Sequence, residues 1–110
     1  MDWNSELETT NAALAGFRKL RPETGAAFSG LHRATMQDGA LDARQKELIA
    51  LAIGVAKQCN DCIGFHVRAA AKAGASRDEV ADTISVAVLM GGGPALMYGA
   101  RALDAFDQLT

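Results

Sequence analysis

The sequence predicts an all-α protein, a compact bundle of about six helices, and three observations carry that prediction. Apolar residues recur at helical spacing through most of the chain, Pro and Gly fall where helices would begin or end, and no segment alternates polar and apolar residues as a half-buried strand does. The β-branched residues lie inside helical stripes, which removes the remaining signal for strand.

Ser5-x-x-Glu8 has the form of a capping box, and Leu7, Leu14 and Phe17 follow at helical spacing, so a first helix is expected to run to about Leu20. Pro22 suits the first turn of a second helix that carries Phe28, Leu31 and Met36 inward and stops at Asp38-Gly39. Asp42 is placed to cap a third helix reaching Lys57. That helix is apolar on every side from Leu48 to Ala56, the pattern of a central spine buried by its neighbours. Beyond Gln58 a fourth helix carries Ile63, Val67, Ala70 and Ala71 on one stripe and ends at Gly74. Ser76-x-x-Glu79 is a second capping box, opening a fifth helix with Val80, Ile84, Ala87 and Val88 inward. Gly91-Gly92-Gly93-Pro94 breaks the chain, and Pro94 begins a sixth helix with Leu96, Ala100, Leu103 and Phe106 on one face.

A chain of 110 residues is the length of one domain, with no repeat, charge run or low-complexity stretch to divide it. Apolar residues make up 49% and charged residues 22%, the balance of a globular chain and not of a disordered one. The net charge of -2, with acids and bases interspersed, offers no basic stripe for a nucleic-acid backbone. The N-terminus MDWNSELE lacks a basic start and apolar run, and the longest apolar run, Leu48 to Ala56, is too short to cross a bilayer. These features predict a cytoplasmic protein with neither membrane nor nucleic-acid partners. In a reducing compartment its two cysteines, if close, serve catalysis or metal binding more often than structure.

Those cysteines fall in the segment Cys59-Asn60-Asp61-Cys62-Ile63-Gly64-Phe65-His66. At about 100° per residue, Cys62 lies about 60° from Cys59 with His66 between them, so the three side chains share one helical face. Cysteines three apart at a helix start can cycle between dithiol and disulfide without large backbone movement. The helix N-terminus favours thiolate, the nucleophilic form, and His66, one turn after Cys62, can accept its proton. Cys62 is therefore expected to attack and Cys59 to resolve. Glu47 is a carboxylate at the edge of an apolar helix, costly to bury without a donor. A hydrogen bond to one nitrogen of His66, direct or through a water, would orient the imidazole and raise its basicity toward Cys62.

Glu47, Cys59, Cys62 and His66 at these spacings resemble the signature of the AhpD-like alkyl hydroperoxidases, within the carboxymuconolactone decarboxylase superfamily. The flanking segments from Lys46 to Ala52 and from Ala69 to Ala75, and the Gly91-Gly92-Gly93-Pro94 break, resemble it too, so the likeness spans about Leu41 to Phe106. The resemblance implies an AhpD-like helical subunit that assembles into trimers or hexamers and reduces hydroperoxides with its thiols. It implies that an external dithiol, such as a lipoyl-bearing protein, reopens the disulfide, with no bound cofactor. By position it gives attack to Cys62, resolution to Cys59, base catalysis to His66 and a part in the proton relay to Glu47. One position departs from the best-known members, which have a second histidine just before the second cysteine where this chain has Asp61. An acid there would raise the Cys62 pKa and weaken turnover, unless it serves as a capping or first-turn acid.

Competing readings are weaker. A structural disulfide across a three-residue step closes almost no loop and stabilises little. Zinc could draw on Cys59, Cys62, His66 and Glu47, but structural zinc sites usually take ligands as two separated pairs on loops. Glu47 could instead be a salt-bridged structural acid. His32 suits a surface or interface position, Met36, Met90 and Met97 suit packing, and the glycine run lacks the strand and G-K-[ST] of a phosphate loop. Two other functions remain open: a decarboxylase acting on carboxylated muconolactones, which would not need the cysteine pair, and a non-enzymatic redox-sensing module whose thiols alter its oligomeric contacts. A chain this apolar is also expected to hide surface by forming a homo-oligomer.

Overall fold

The computed structural model describes residues 1–110 as six helices and no strand: α1 (Trp3–Leu20), α2 (Pro22–Thr35), α3 (Ala43–Ala56), α4 (Asn60–Lys72), α5 (Arg77–Gly91) and α6 (Gly93–Leu109). The all-α class, the number of helices and the Cys-x-x-Cys pair at a helix start are as the sequence predicts.

Side-chain caps set most of the helix starts. Asp42 and Gln45 form a reciprocal capping box at α3, and Ser76 and Glu79 form another at α5. The box expected at Ser5 does not form. Asp2 caps α1 instead, its carboxylate accepting the N–H of Ser5, so the helix starts earlier and takes in Trp3. Trp3 and Leu7 are fully buried, with the Trp3 indole N–H donating to Asp104 on α6.

Helices α3, α4, α5 and α6 enclose the core, in which Leu51, Val55, Ile63, Val67, Val80 and Ala102 are sealed from solvent. The spine reading of α3 needs correction. It buries Glu47, Leu51, Gly54 and Val55, a single stripe, while Ile49 and Ile53 are about half exposed on the subunit surface. The face expected for α6 is also one position out of register. Its buried residues are Ala95, Gly99, Ala102 and Ala105, and Leu96 and Ala100 face outward. Close packing explains the choice, because a Cβ at Gly99 would overlap Ile84 on α5. Small residues let the two helices touch, and larger ones go to the rim.

Helix α2 departs furthest from expectation. It ends at Thr35, several residues early, and buries none of its side chains; Phe28 and Leu31 are 69% and 63% exposed. It packs chiefly on α1, whose own first turns are anchored on α4 and α6. At the opposite end, Arg77 at the start of α5 forms a two-point ion pair with Asp107 near the end of α6. The hydrogen bond from Arg77, with its charge, holds the Asp107 carboxyl below the ordinary carboxylate range.

Candidate active site

Two turns of chain geometry place the cysteines. After α3 the chain closes in a Schellman motif: the Gln58 N–H donates to Val55 and the Cys59 N–H to Gly54, with Gln58 in the left-handed region at φ 58°. The motif turns the chain back on itself, so α4 returns along α3. Cys59 is thus both the residue that closes α3 and the N-cap of α4, its sulfur accepting the Cys62 N–H at 3.2 Å. The pair is joined as a disulfide, with Cα atoms 5.3 Å apart, within the ordinary range for such a bond. Gly54 forms the floor. A Cβ there would stand 3.0 Å from Cys62 Cβ, so the glycine lets the start of α4 lie on α3.

One and two turns back along α3 from Gly54 come Leu51 and Glu47, on the stripe that meets α4. One turn along α4 from Cys62 comes His66. The two helices therefore bring Glu47 and His66 together, and His66 Nδ1 lies 2.7 Å from Glu47 Oε2. The contact is direct. The Glu47 side chain is 7% exposed and that of His66 is 23% exposed, so the carboxylate is shut in behind a ring that solvent can reach. A carboxylate accepts only, so Nδ1 carries the proton and donates; a neutral ring then holds its free lone pair on Nε2.

Asp61 is neither a cap nor a bystander. It lies in the first turn of α4, where an acid suits the helix dipole, and it accepts the Thr10 hydroxyl at 2.7 Å, which ties α1 to the start of α4. The contact spends one lone pair of the acid on a donor from another helix. No group of three or more His, Cys, Asp or Glu side chains is arranged to hold a metal ion.

His32 belongs nearer this centre than its sequence context suggests. Its ring stacks on that of His66 with centroids 6.4 Å apart, and both line a cavity of about 750 Å³ between α1, α2 and α4. Arg18, Arg33, Arg68 and Lys72 line the same cavity. The sequence places His32 at a surface or interface position, and it is exposed, but its place beside His66 and the four cations were not foreseen. Arg68 and Lys72 follow His66 on α4 at i+2 and i+6, off its own helical face, so their spacing gives no signal, and nothing local links α1 and α2 to the cavity.

A helical hairpin that seats a Cys-x-x-Cys pair at a helix start, with a histidine one turn on and a buried carboxylate behind it, defines an AhpD-like protein. The chain belongs to the carboxymuconolactone decarboxylase family, whose model matches residues 22–105. Its structure is similar to that of a carboxymuconolactone decarboxylase family protein from Legionella pneumophila, solved in the apo form, with 49% identity, a TM-score of 0.94 and coverage of 99% of this chain and 98% of that one. A family member from Thermotoga maritima, described as having a suggested part in an antioxidative response, shares 25% identity at a TM-score of 0.83, over 94% of this chain and 89% of that one. An uncharacterized protein of Cupriavidus necator is 39% identical over 109 residues, covering 99% of this chain and 96% of its own length. No helix is long and apolar enough to cross a membrane.

Proposed function

We propose that the protein is a thiol-dependent peroxidase or disulfide reductase of the AhpD-like type, cycling Cys59 and Cys62 between dithiol and disulfide. The observation that carries this reading is the hydrogen bond from His66 to the buried Glu47, which leaves Nε2 as a base one turn from Cys62. The antioxidative description of the Thermotoga maritima relative supports it.

In the proposed cycle His66 takes the Cys62 proton, and the thiolate attacks the terminal oxygen of a hydroperoxide. The O–O bond breaks, the alcohol leaves with a proton, and Cys62 becomes a sulfenic acid. Cys59 then attacks that sulfur, forming the disulfide and releasing water. The disulfide state of the structure corresponds to the end of this oxidation. An external dithiol, such as a lipoyl group carried on a protein, returns two electrons. The Cys62 N–H that faces Cys59 steadies the Cys59 thiolate as it leaves, which favours reopening by attack at Cys62.

Stoichiometric oxidation by cumene hydroperoxide tests the reading and the two roles together. The reduced protein is expected to consume one equivalent and lose both thiols. Cys59→Ser is expected to consume one equivalent and leave a trappable sulfenic acid on Cys62, while Cys62→Ser reacts far more slowly. Sulfenic acid on Cys59 would reverse the roles, and no reaction in the parent protein would end the reading.

The assembly proposed with it is a homo-oligomer, a trimer or hexamer. Its support is the apolar surface left open on α5 and α6, where Leu89 and Met90 are 81% and 79% exposed beside Val86, Leu96 and Met97. Sedimentation at micromolar concentration is expected to show the assembled form, and a monomer would remove this part.

A further inference from the structure

The cavity beside His66 carries an imbalance of charge that the proposed chemistry does not use. In a chain with 13 acidic and 11 basic residues, Arg18, Arg33, Arg68 and Lys72 line one cavity and no aspartate or glutamate does. None of the four is ion-paired: the arginine–carboxylate pairs of the chain are Arg44 with Glu79 and Arg77 with Asp107, and Glu47 is held by the hydrogen bond from His66. Four unneutralised cations around a concave surface repel one another and focus a positive potential into it, a cost that an anionic ligand would relieve. The fold also makes room for one of them. A Cβ at Gly25 would stand 2.8 Å from Arg18 Cγ, so this glycine lets the stem of Arg18 cross the α1–α2 contact.

Beside the cations the cavity has an apolar part, formed by Leu14 from α1, Phe28 from α2, and Phe65 and Ala69 from α4, and a polar part formed by Asn11, Ser29, His32 and His66. Arg68 lies over the Phe65 ring at 5.5 Å, which places its charge beside apolar surface. Along α4, Arg68 and Lys72 lie about 9 and 15 Å beyond Cys62, with His66 between. Neither cysteine lines the cavity, whose approach to Cys62 is by way of Phe65 and His66. A ligand anchored at the cations and extending past the Phe65 ring toward the sulfurs therefore fits best with an anionic head and an apolar body. A volume of about 750 Å³ accommodates such a molecule.

We propose that this cavity binds the carboxylate end of an amphipathic organic acid, which makes the protein's preferred oxidant a fatty-acid hydroperoxide held head-out with its peroxide toward Cys62. The substrate class rests on the peroxidase reading; the binding of the acid does not. The step balances as above: the dithiol loses two electrons and two protons, and the acid hydroperoxide becomes the hydroxy acid and water.

Two measurements separate the claims. For the reduced protein, kcat/KM for linoleic acid hydroperoxide is expected to exceed that for its methyl ester by about tenfold at low salt. The preference should fall to within about twofold in Arg33→Gln/Arg68→Gln, or in about 0.5 M salt, where exposed charges are screened. Arg101→Gln, which removes a cation on α6 outside the cavity, should leave the preference in place. Equal rates for acid and ester, or a preference that survives the double variant, would overturn the proposal. For the disulfide form, calorimetry is expected to show dodecanoate binding about tenfold more tightly than to the double variant, with methyl dodecanoate and inorganic phosphate binding weakly. Dodecanoate that binds both proteins equally, or phosphate that binds as well as dodecanoate, overturns the anchored amphipathic acid. If neither cumene hydroperoxide nor the fatty-acid hydroperoxide oxidises the dithiol, the peroxidase reading fails and the substrate class with it, while calorimetry still decides the binding site.

Discussion

Glu47→Gln is expected to slow single-turnover disulfide formation by about 10²-fold and to leave the thermal midpoint unchanged or raised. The two readouts move differently because the carboxylate is buried beside a neutral donor. Glutamine keeps an oxygen that can accept the Nδ1–H of His66, so the ring stays in place, but the negative charge that would steady the imidazolium formed during proton transfer is gone. The same charge is costly to bury, since desolvating a carboxylate at 7% exposure opposes folding and a neutral amide escapes that cost. A purely structural acid predicts the reverse, a lower midpoint and a normal rate. His66→Asn should lose at least as much rate as Glu47→Gln. If the pair acts as one relay, the double variant will be little slower than His66→Asn alone, because Glu47 has nothing left to act upon. Stopped-flow oxidation by an organic hydroperoxide, with melting curves on the same four proteins, decides the question; independent multiplicative losses or an unchanged rate in Glu47→Gln would remove Glu47 from the mechanism.

How much of this was legible in the sequence depended on how local each determinant is. The Asp42 and Ser76 caps, the Gly74 stop and the seating of Cys59 at the start of α4 are decided within a few residues, and all four were readable. The Glu47–His66 contact was readable for another reason: a lone carboxylate in an apolar helix demands a donor, and a turn of three residues between α3 and α4 restricts where one can come from. Competition between two local signals defeated the start of α1, where Asp2 and Ser5 both suit a cap and the burial of Trp3 favours the earlier one. Tertiary fit defeated the α6 register, because periodicity ranks Leu above Ala and Gly while contact with Ile84 requires the smaller residues. The outward placement of Phe28 and Leu31 had no local signal, since an apolar stripe looks the same whether it meets its own core or stays uncovered. The approach of His32, Arg18 and Arg33 was hidden for that reason too, as α1 and α2 reach the His66 face only through the folded arrangement.

Gly64→Leu is expected to lose several kcal/mol of stability and to release α1, the wall that carries Leu14 and Arg18 to the cavity. Gly64 lies two residues beyond Cys62, on the buried side of α4. A Cβ there would stand 2.8 Å from Leu7 Cδ2 and 3.1 and 3.2 Å from two atoms of the Trp3 ring. Neither neighbour has room to yield, since Leu7 and Trp3 are 1% and 0% exposed and the Trp3 indole is tied to Asp104. Alanine is the finer test, because two effects of opposite sign meet at it. Removing a glycine from a helix gains about 1 kcal/mol, and overpacking costs about 1–3 kcal/mol, so Gly64→Ala should be neutral to about 2 kcal/mol destabilised. Gly16, in the C-terminal part of α1 with nothing within 4 Å of a Cβ, supplies the control. There only the helix term acts, and Gly16→Ala should gain up to about 1 kcal/mol. Trp3 is the single tryptophan, so its fluorescence reports the α1 contact directly while urea denaturation gives the stability. A red-shifted Trp3 in Gly64→Leu, with the Thr10 bond to Asp61 no longer holding α1 in place, is the expected result. A Gly64→Leu protein as stable as its parent, or Gly64→Ala gaining as much as Gly16→Ala, would show that α1 does not close on α4 through this glycine.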